Sequence, residues 1–104
     1  MFQNLIRLEN IDFLCIKAKN AMRKYDSLKS YEICVQIIKT DPLYFDIIPI
    51  YCSSLLDLNF LGINAKIGEL YYCAHNLIEN YPNHHLSWYA IGVYYFMIKN
   101  YEVF

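Results

Sequence analysis

The apolar residues of this chain recur with a helical period in two stretches that resemble each other. Residues 31–42 read YEICVQIIKTDP, and residues 71–82 read YYCAHNLIENYP. In both stretches the apolar positions are spaced three and four residues apart, which places them on one face of a helix. Each stretch ends at a proline, which the interior of an α-helix does not accept. The pattern therefore predicts two amphipathic helices of the same design, one at each stretch.

The similarity continues beyond each proline, where the pattern predicts a second helix. At the same offset of 40 residues, Ile48 aligns with Trp88, Cys52 with Gly92, and Leu55 with Tyr95. This offset is longer than the usual two-helix repeat of about 34 residues. The excess lies in residues 60–68, which contain two glycines and no helical stripe. Upstream, Ala18 precedes Cys52 by the usual repeat length, so three units align.

These units predict an all-α fold in which antiparallel helix pairs stack into a solenoid of about two and a half repeats. Residues 1–10 are expected to form a helical lead-in and residues 11–44 the first repeat. Residues 45–84 are expected to form the second repeat, with a long inter-helix loop at residues 60–68. Residues 85–104 would be a third repeat that ends before its second helix.

Composition agrees with one small helical domain and disfavours other classes. The chain has 104 residues, of which 57% are hydrophobic and 18% charged, and its three glycines and three prolines are too few for the turns of an all-β sandwich. The longest run without charged or strongly polar residues, from Trp88 to Ile98, is shorter than the roughly 18–20 residues that cross a bilayer. The acidic N-terminal segment lacks a secretory cleavage site. We therefore expect an intracellular protein without a membrane partner.

The residues that could carry chemistry do not form a recognisable catalytic or metal site. Four cysteines are spaced almost evenly along the chain, at Cys15, Cys34, Cys52 and Cys73. This spacing lacks the short pairs of zinc sites and indicates buried thiols in a reducing compartment. His84 and His85 are adjacent, so on a helix they point about 100° apart and do not share a metal. A thiol–imidazole pair of Cys73 and His75, the one enzyme hypothesis, lacks an orienting third group. We expect no enzyme activity and no cofactor.

Charge is distributed unevenly along a chain whose net charge is -1. The segment 1–40 holds seven Lys and Arg against four Asp and Glu, whereas the segment 41–104 holds two against six. The cations of the first segment are scattered among acids and have no aromatic platform beside them. This distribution favours a solvated helix surface over a nucleic-acid interface, so no nucleic-acid partner is expected.

One phrase near the C-terminus resembles the tetratricopeptide repeat family. That family carries Trp, Leu-Gly and Tyr on the first helix of each pair, then small residues and a closing proline on the second. Here the corresponding structural positions are Ala18, Pro42, Cys52, Ala74, Pro82, Trp88, Gly92 and Tyr95. We expect Trp88 and Tyr95 to fill the gap between paired helices, and Gly92 to let those helices approach closely.

Longer phrases resemble the tetratricopeptide scaffold subunits of the anaphase-promoting complex, of the cell-division-cycle-sixteen or Cut-nine type. They are DPLYFDIIPIYCSSLLDLN, GELYYCAHNLIENYP and SWYAIGVYYFMI. The resemblance implies a non-catalytic scaffold that helps to assemble a multi-subunit ubiquitin ligase acting in cell-cycle progression, in the nucleus or cytoplasm. The chain departs from the family in its long loop at residues 60–68 and in the size of Leu70 at the start of a second helix. Members of the family are long superhelices of many repeats, and the third unit here ends before its second helix, so the chain is expected to be a fragment.

The resemblance also implies a concave groove that is lined by the first helix of each pair and binds a partner protein or peptide. The residues expected to bind a partner there are Asp12, Lys19, Arg23, Ser53, Asp57, Tyr89, Val93 and Met97. They could equally contact neighbouring repeats.

An alternative is a generic adaptor or a co-chaperone module that grips a C-terminal carboxylate. Of the five positions that would do so, Cys15, Lys19, Ile50, Leu86 and Ala90, only one carries a cation, so this reading is disfavoured. The aromatic residues near the C-terminus should also cause the fragment to self-associate through its exposed ends.

Overall fold

The computed structural model describes the backbone of residues 2–61 and 67–103 and the side chains of residues 11–61 and 67–99. Within these ranges the chain contains helices and no strand. The elements are α1 (Phe2–Arg23), α2 (Ser27–Thr40), a 3₁₀ turn (Phe45–Ile47), α3 (Ile48–Phe60), α4 (Ile67–Asn80) and α5 (His85–Val103). The predicted all-α fold of antiparallel helices is confirmed.

The helix bounds differ in two places from those expected. The predicted lead-in and the first helix of repeat one are a single helix, since α1 runs without a break from Phe2 to Arg23. The expected loop at 60–68 is too wide, because α3 continues to Phe60 and α4 begins at Ile67. Gly68 is therefore helical, and residues 62–66 of that loop lie outside the described residues.

The turn between α1 and α2 contains a residue with an unusual backbone conformation. Tyr25 has φ of 59°, in the left-handed region that favours glycine. The neighbouring amides close the end of α1: Tyr25 N–H donates to Met22 at 3.1 Å and Asp26 N–H donates to Ala21 at 2.9 Å. Asp26 then caps α2 by accepting from the Lys29 amide at 3.2 Å. The end of α1 and the start of α2 are thus both capped within the turn, and the chain reverses its direction there.

The two proline turns have the same backbone hydrogen bonds at aligned positions of the two units. Asp41 N–H donates to the Ile37 carbonyl at 2.8 Å, as Tyr81 N–H donates to Leu77 at 2.7 Å. The Tyr44 amide then donates to Asp41 at 3.2 Å, and the His84 amide to Tyr81 at 3.2 Å. The repeat that the apolar pattern predicts is therefore present in the backbone geometry as well.

An aromatic cluster joins these two turns. The ring of Phe45 stacks on that of His84, with centroids 3.8 Å apart and an interplanar angle of 3°. The same ring meets Tyr81 edge-on at 5.0 Å. His84 Nδ1 also accepts a hydrogen bond from the Leu86 amide at 3.1 Å, in the first turn of α5. The cluster thereby fixes the start of α5 relative to the start of α3.

One continuous hydrophobic core runs through the described helices. α1 packs on α2, α2 on α3, α4 on α5, and α3 on α5. The repeat positions Ala18, Cys52 and Ala74 have no exposed surface. We find no helix among the described residues whose length and hydrophobicity would allow it to span a bilayer.

Candidate interaction surfaces

A groove between α1 and α3 brings together three of the residues expected to bind a partner. Lys19 and Arg23, one turn apart on α1, and Ser53 on α3 line a depression of about 280 Å³. Its remaining lining is apolar and consists of Met22, Pro49 and Ile50. Both cations are exposed. We call this depression the basic groove, because it combines two positive charges with an apolar floor.

The two acidic residues expected in the same groove have hydrogen-bond partners on other elements. Asp12 accepts from the hydroxyl of Tyr44 at 2.9 Å. Burial of Tyr44, together with this bond to Asp12, raises the pKa of the phenol, so the tyrosine stays a donor. Asp57 is half-buried and accepts from Ser27 of α2 at 2.9 Å. Each carboxylate therefore accepts a hydrogen bond from a hydroxyl group of another element.

The expectation that Val93 and Met97 line a groove is wrong. Their exposed fractions are 9% and 1%, because this side of α5 is covered by the core against which the helix packs. Tyr89, on another side of α5, is 42% exposed and remains accessible. Of the three groove residues assigned to α5, only Tyr89 can therefore meet a partner.

The expectation that Trp88, Tyr95 and Gly92 pack between paired helices is also wrong for this chain. Trp88 is 55% exposed and Tyr95 is 59% exposed. A methyl group built on Gly92 would have no neighbouring atom within 4 Å. The physical reason is that none of the described helices covers this side of α5. The equivalent positions on α3, which has helices on more than one side, are almost fully buried: Ile48, Cys52 and Leu55.

The exposed side of α5 therefore forms an aromatic face, defined by Trp88, Tyr89, Tyr95 and Phe96 around Gly92. Each of the four aromatic side chains is between 42% and 59% exposed. An apolar face of this kind on a helix is typical of a surface that contacts another protein element.

Trp88 has a second role, which the sequence patterns did not indicate. Its indole N–H donates to the Pro82 carbonyl at 2.6 Å. The preceding residue, Ser87, is fully buried and donates to the carbonyl of Tyr81 at 2.9 Å. Both side chains thus reach back from α5 to carbonyl groups at the end of α4 and in the proline turn. They hold α4 and α5 together at this corner.

A second depression, of about 500 Å³, lies between α2, α3 and α4. Its lining includes Val35, Ile38, Tyr51, Tyr72 and Cys73. At its edge the Tyr31 hydroxyl donates to Glu69 at 2.7 Å, and burial with this bond raises the pKa of Tyr31. The ring of Tyr31 stacks on Tyr51, with centroids 6.2 Å apart.

The second helix pair is less closely packed than the first. α1 and α2 pack against each other, whereas α3 and α4 do not approach to the same extent. At the positions that the sequence aligns, Ser30 in the first pair and the larger Leu70 in the second are both fully buried.

The cysteine and histidine side chains do not form an activated pair. All four cysteines are free thiols. Burial raises the pKa of Cys73 to about 11, so its thiolate is scarce at neutral pH. The ring of His75 lies 4.2 Å from that of Tyr71. Among the described residues, no three His, Cys, Asp or Glu side chains are placed to hold a metal ion.

Comparison with curated proteins gives similar sequences of one kind. The cell division cycle protein 16 homologs of Mus musculus and Homo sapiens are each 30% identical over 90 residues, covering 86% of this chain and 14% of the relative. Anaphase-promoting complex subunit 6 of Arabidopsis thaliana is 30% identical over 92 residues, or 88% of this chain and 16% of that protein. The chain thus spans about one seventh to one sixth of the length of these relatives.

No protein-family model and no solved structure matches the chain. The relatives nevertheless agree with the resemblance that the sequence phrases carry, and their aligned stretch covers most of the helices described above. We therefore identify the chain as a homologue of one segment of the cell division cycle protein 16 group, which includes anaphase-promoting complex subunit 6.

Proposed function

We propose that this chain is a non-catalytic protein–protein interaction segment that helps to assemble a multi-subunit ubiquitin ligase of the anaphase-promoting type. The observation that carries the proposal is the 30% identity, over 86% of the chain, to proteins of the cell division cycle protein 16 group, one of which is named as a subunit of that complex. The stacked helices support it, because such arrays present extended surfaces to partner proteins. The corresponding place of action is inside the cell, in the nucleus or cytoplasm.

The chemistry of the described side chains supports a non-catalytic role. Burial raises the pKa of Cys34 and Cys52 to about 12, so these thiols are weak nucleophiles at neutral pH. His75, the histidine that could activate Cys73, contacts an aromatic ring. Slow alkylation of all four cysteines by iodoacetamide is expected, with the half-buried Cys73 reacting before the three buried thiols. Labelling of Cys73 faster than that of free cysteine at the same pH would support a hydrolase instead.

Purification of the protein from its own cells tests the proposed assembly. The tagged chain should co-purify with other subunits of an anaphase-promoting complex, identified by mass spectrometry. Recovery of the chain without any such subunit would contradict the proposal. The double variant Tyr95→Ser/Phe96→Ser alters the aromatic face and serves as the interface probe. The matched control is Tyr25→Ser, which alters a residue that is 91% exposed on another part of the molecule.

The aromatic face is the surface that we propose for self-association. Helical repeat arrays cover the apolar sides of their helices by stacking, and none of the described helices covers the aromatic side of α5. Two copies that pack these faces together would each cover the other's apolar surface. The glycine at the centre of the face would let the two helices approach closely.

Sedimentation equilibrium over a range of protein concentrations tests the proposed self-association. The unaltered chain and the Tyr25→Ser control should form dimers as concentration rises, and the variant with serine at Tyr95 and Phe96 should remain monomeric. If the unaltered chain is a monomer at every concentration, the proposed self-association is wrong. The assembly proposal would then still stand or fall on the purification.

A further inference from the structure

We infer that the basic groove between α1 and α3 binds an acidic segment of a partner protein, with a carboxylate between Lys19 and Arg23 and an apolar side chain on Met22 and Ile50. This inference deepens the proposed function, on which it rests, by naming the chemistry of one partner surface. Three observations carry it: the unpaired cations, the acids that are engaged elsewhere, and the size of the depression.

The two cations of the groove, Lys19 and Arg23, are exposed, and within the described part of the chain neither forms an ion pair. They stand four residues apart on α1, where like charges repel each other. A carboxylate between them would remove this repulsion and accept charge-assisted hydrogen bonds from both. The arrangement therefore favours an anionic ligand.

The acidic side chains expected in the groove, Asp12 and Asp57, lie outside its lining. The carboxylate of Asp12 accepts from Tyr44, and that of Asp57 accepts from Ser27. The groove lining itself contains no acidic side chain. Ser53 adds a hydroxyl group that can donate to a second carboxylate oxygen. The polar part of the groove is thus composed of donors.

The floor and the volume of the groove suit one apolar side chain of a peptide. The floor is made of Met22, Pro49 and Ile50, and methionine adapts its shape to the group that contacts it. The volume is about 280 Å³, at the lower edge of the roughly 300–1,000 Å³ of small-molecule pockets. An apolar residue next to an acidic one in an extended peptide matches both the floor and the cations.

Fluorescence anisotropy with three labelled peptides tests the inference. The probe is Gly-Ser-Glu-Asp-Leu-Asp-Glu-Ser-Gly. One control peptide replaces each acid by its amide, and the other replaces the leucine by serine. The 104-residue chain should bind the probe more tightly than either control, and its affinity should fall as salt is added. Equal binding of the amide peptide, or no binding of the probe, would overturn the inference.

Charge-neutral variants locate the site. Lys19→Gln and Arg23→Gln should each weaken probe binding about tenfold. Lys24→Gln and Lys29→Gln, at exposed cations outside the groove lining, are matched controls that should change it less than twofold. Equal losses in all four variants would show general charge attraction and refute the site. Circular dichroism of each variant checks that the helices are retained.

The outcome is separable from that of the proposed function. If the probe does not bind while the chain still co-purifies with ligase subunits, the inference about the groove fails alone. If the probe binds as expected and no ligase subunit co-purifies, the groove still binds acidic peptides, and only the proposed assembly with the ligase fails. The conservative variants Lys19→Arg and Arg23→Lys should retain binding, and their failure to do so would contradict a role for charge.

Discussion

A pair of buried hydroxyl groups joins α2 to α3, and its energy should depend on which of the two is removed. Ser30 and Ser54 expose no surface, and their Oγ atoms lie 2.7 Å apart. Ser54 Oγ also lies 2.8 Å from the Ile50 carbonyl, one turn earlier on α3, which can only accept. A hydroxyl has one proton. Ser54 therefore donates to Ile50 and accepts from Ser30.

This direction makes the two single substitutions unequal. Ser30→Ala removes a donor but leaves Ser54 bonded to the Ile50 carbonyl, so it should lower the free energy of unfolding by about 1 kcal/mol. Ser54→Ala leaves the Ser30 hydroxyl buried without its acceptor, so it should lower that free energy by about 2–3 kcal/mol. The double variant has no orphaned hydroxyl and should lose about 1–1.5 kcal/mol, well below the sum of the single losses.

Urea unfolding followed by far-ultraviolet circular dichroism measures all four free energies in one double-mutant cycle. The half-buried neighbour Ser53 supplies the control, because Ser53→Ala should change the free energy of unfolding by less than about 0.5 kcal/mol. The reasoning is refuted if the loss in the double variant equals the sum of the two single losses to within about 0.5 kcal/mol. It is refuted equally if Ser30→Ala is the more damaging single change.

Three further predictions follow from the geometry. Tyr25→Gly should raise the free energy of unfolding by about 0.5–1 kcal/mol, since φ is 59° and the side chain is 91% exposed; a lower urea midpoint would contradict this. Trp88→Ala should lower the free energy of unfolding by about 2 kcal/mol, because 55% of the side chain is exposed. A loss of roughly 3–5 kcal/mol, as for a buried tryptophan, would show that the ring is covered. Burial raises the pKa of Cys34 and Cys52 from 9.0 to about 12, so the unfolded chain releases these protons first. The free energy of unfolding should therefore not depend on these thiols below pH 9 and should fall between pH 9 and 12. In urea titrations across this range, the double variant Cys34→Ala/Cys52→Ala should show a smaller fall.

The helices and their turns could be predicted from the sequence because local signals specify them. Proline ends both amphipathic segments, and the same backbone bonds follow at each, as in Asp41 to Ile37 and Tyr81 to Leu77. The helical period of the apolar residues also predicted the pairing of helices. The exact helix ends are predicted less accurately, since the sequence pattern places Gly68 in a loop, whereas it lies in the first turn of α4.

The exposure of Trp88 and Tyr95 could not be predicted from the repeat pattern. That pattern specifies which face of α5 is apolar, but burial also requires an element that covers the face. None of the described helices does so. The hydrogen bond from the Trp88 indole to Pro82 was missed for a different reason, because it depends on the path of the turn rather than on helical periodicity.

The candidate groove was predicted in part, and the errors have one cause. Lys19, Arg23 and Ser53 lie together as expected, whereas Val93 and Met97 are buried. The prediction assumed that every first helix presents the same positions to the concave side. α5 instead turns these residues toward the core that it shares with α3. Rotation of one helix about its axis is set by its packing partners, which a repeat pattern does not contain.

The two helix pairs also differ in their contact and in their connection. α1 and α2 pack against each other, whereas α3 and α4 do not approach to the same extent. Helices that stand further apart need a longer connection, and the sequence has one, since the segment 61–66 separates α3 from α4 but only the shorter segment 24–26 separates α1 from α2. The lengthened period of the sequence therefore agrees with the wider spacing of the second pair, and the depression of about 500 Å³ lies between α2, α3 and α4.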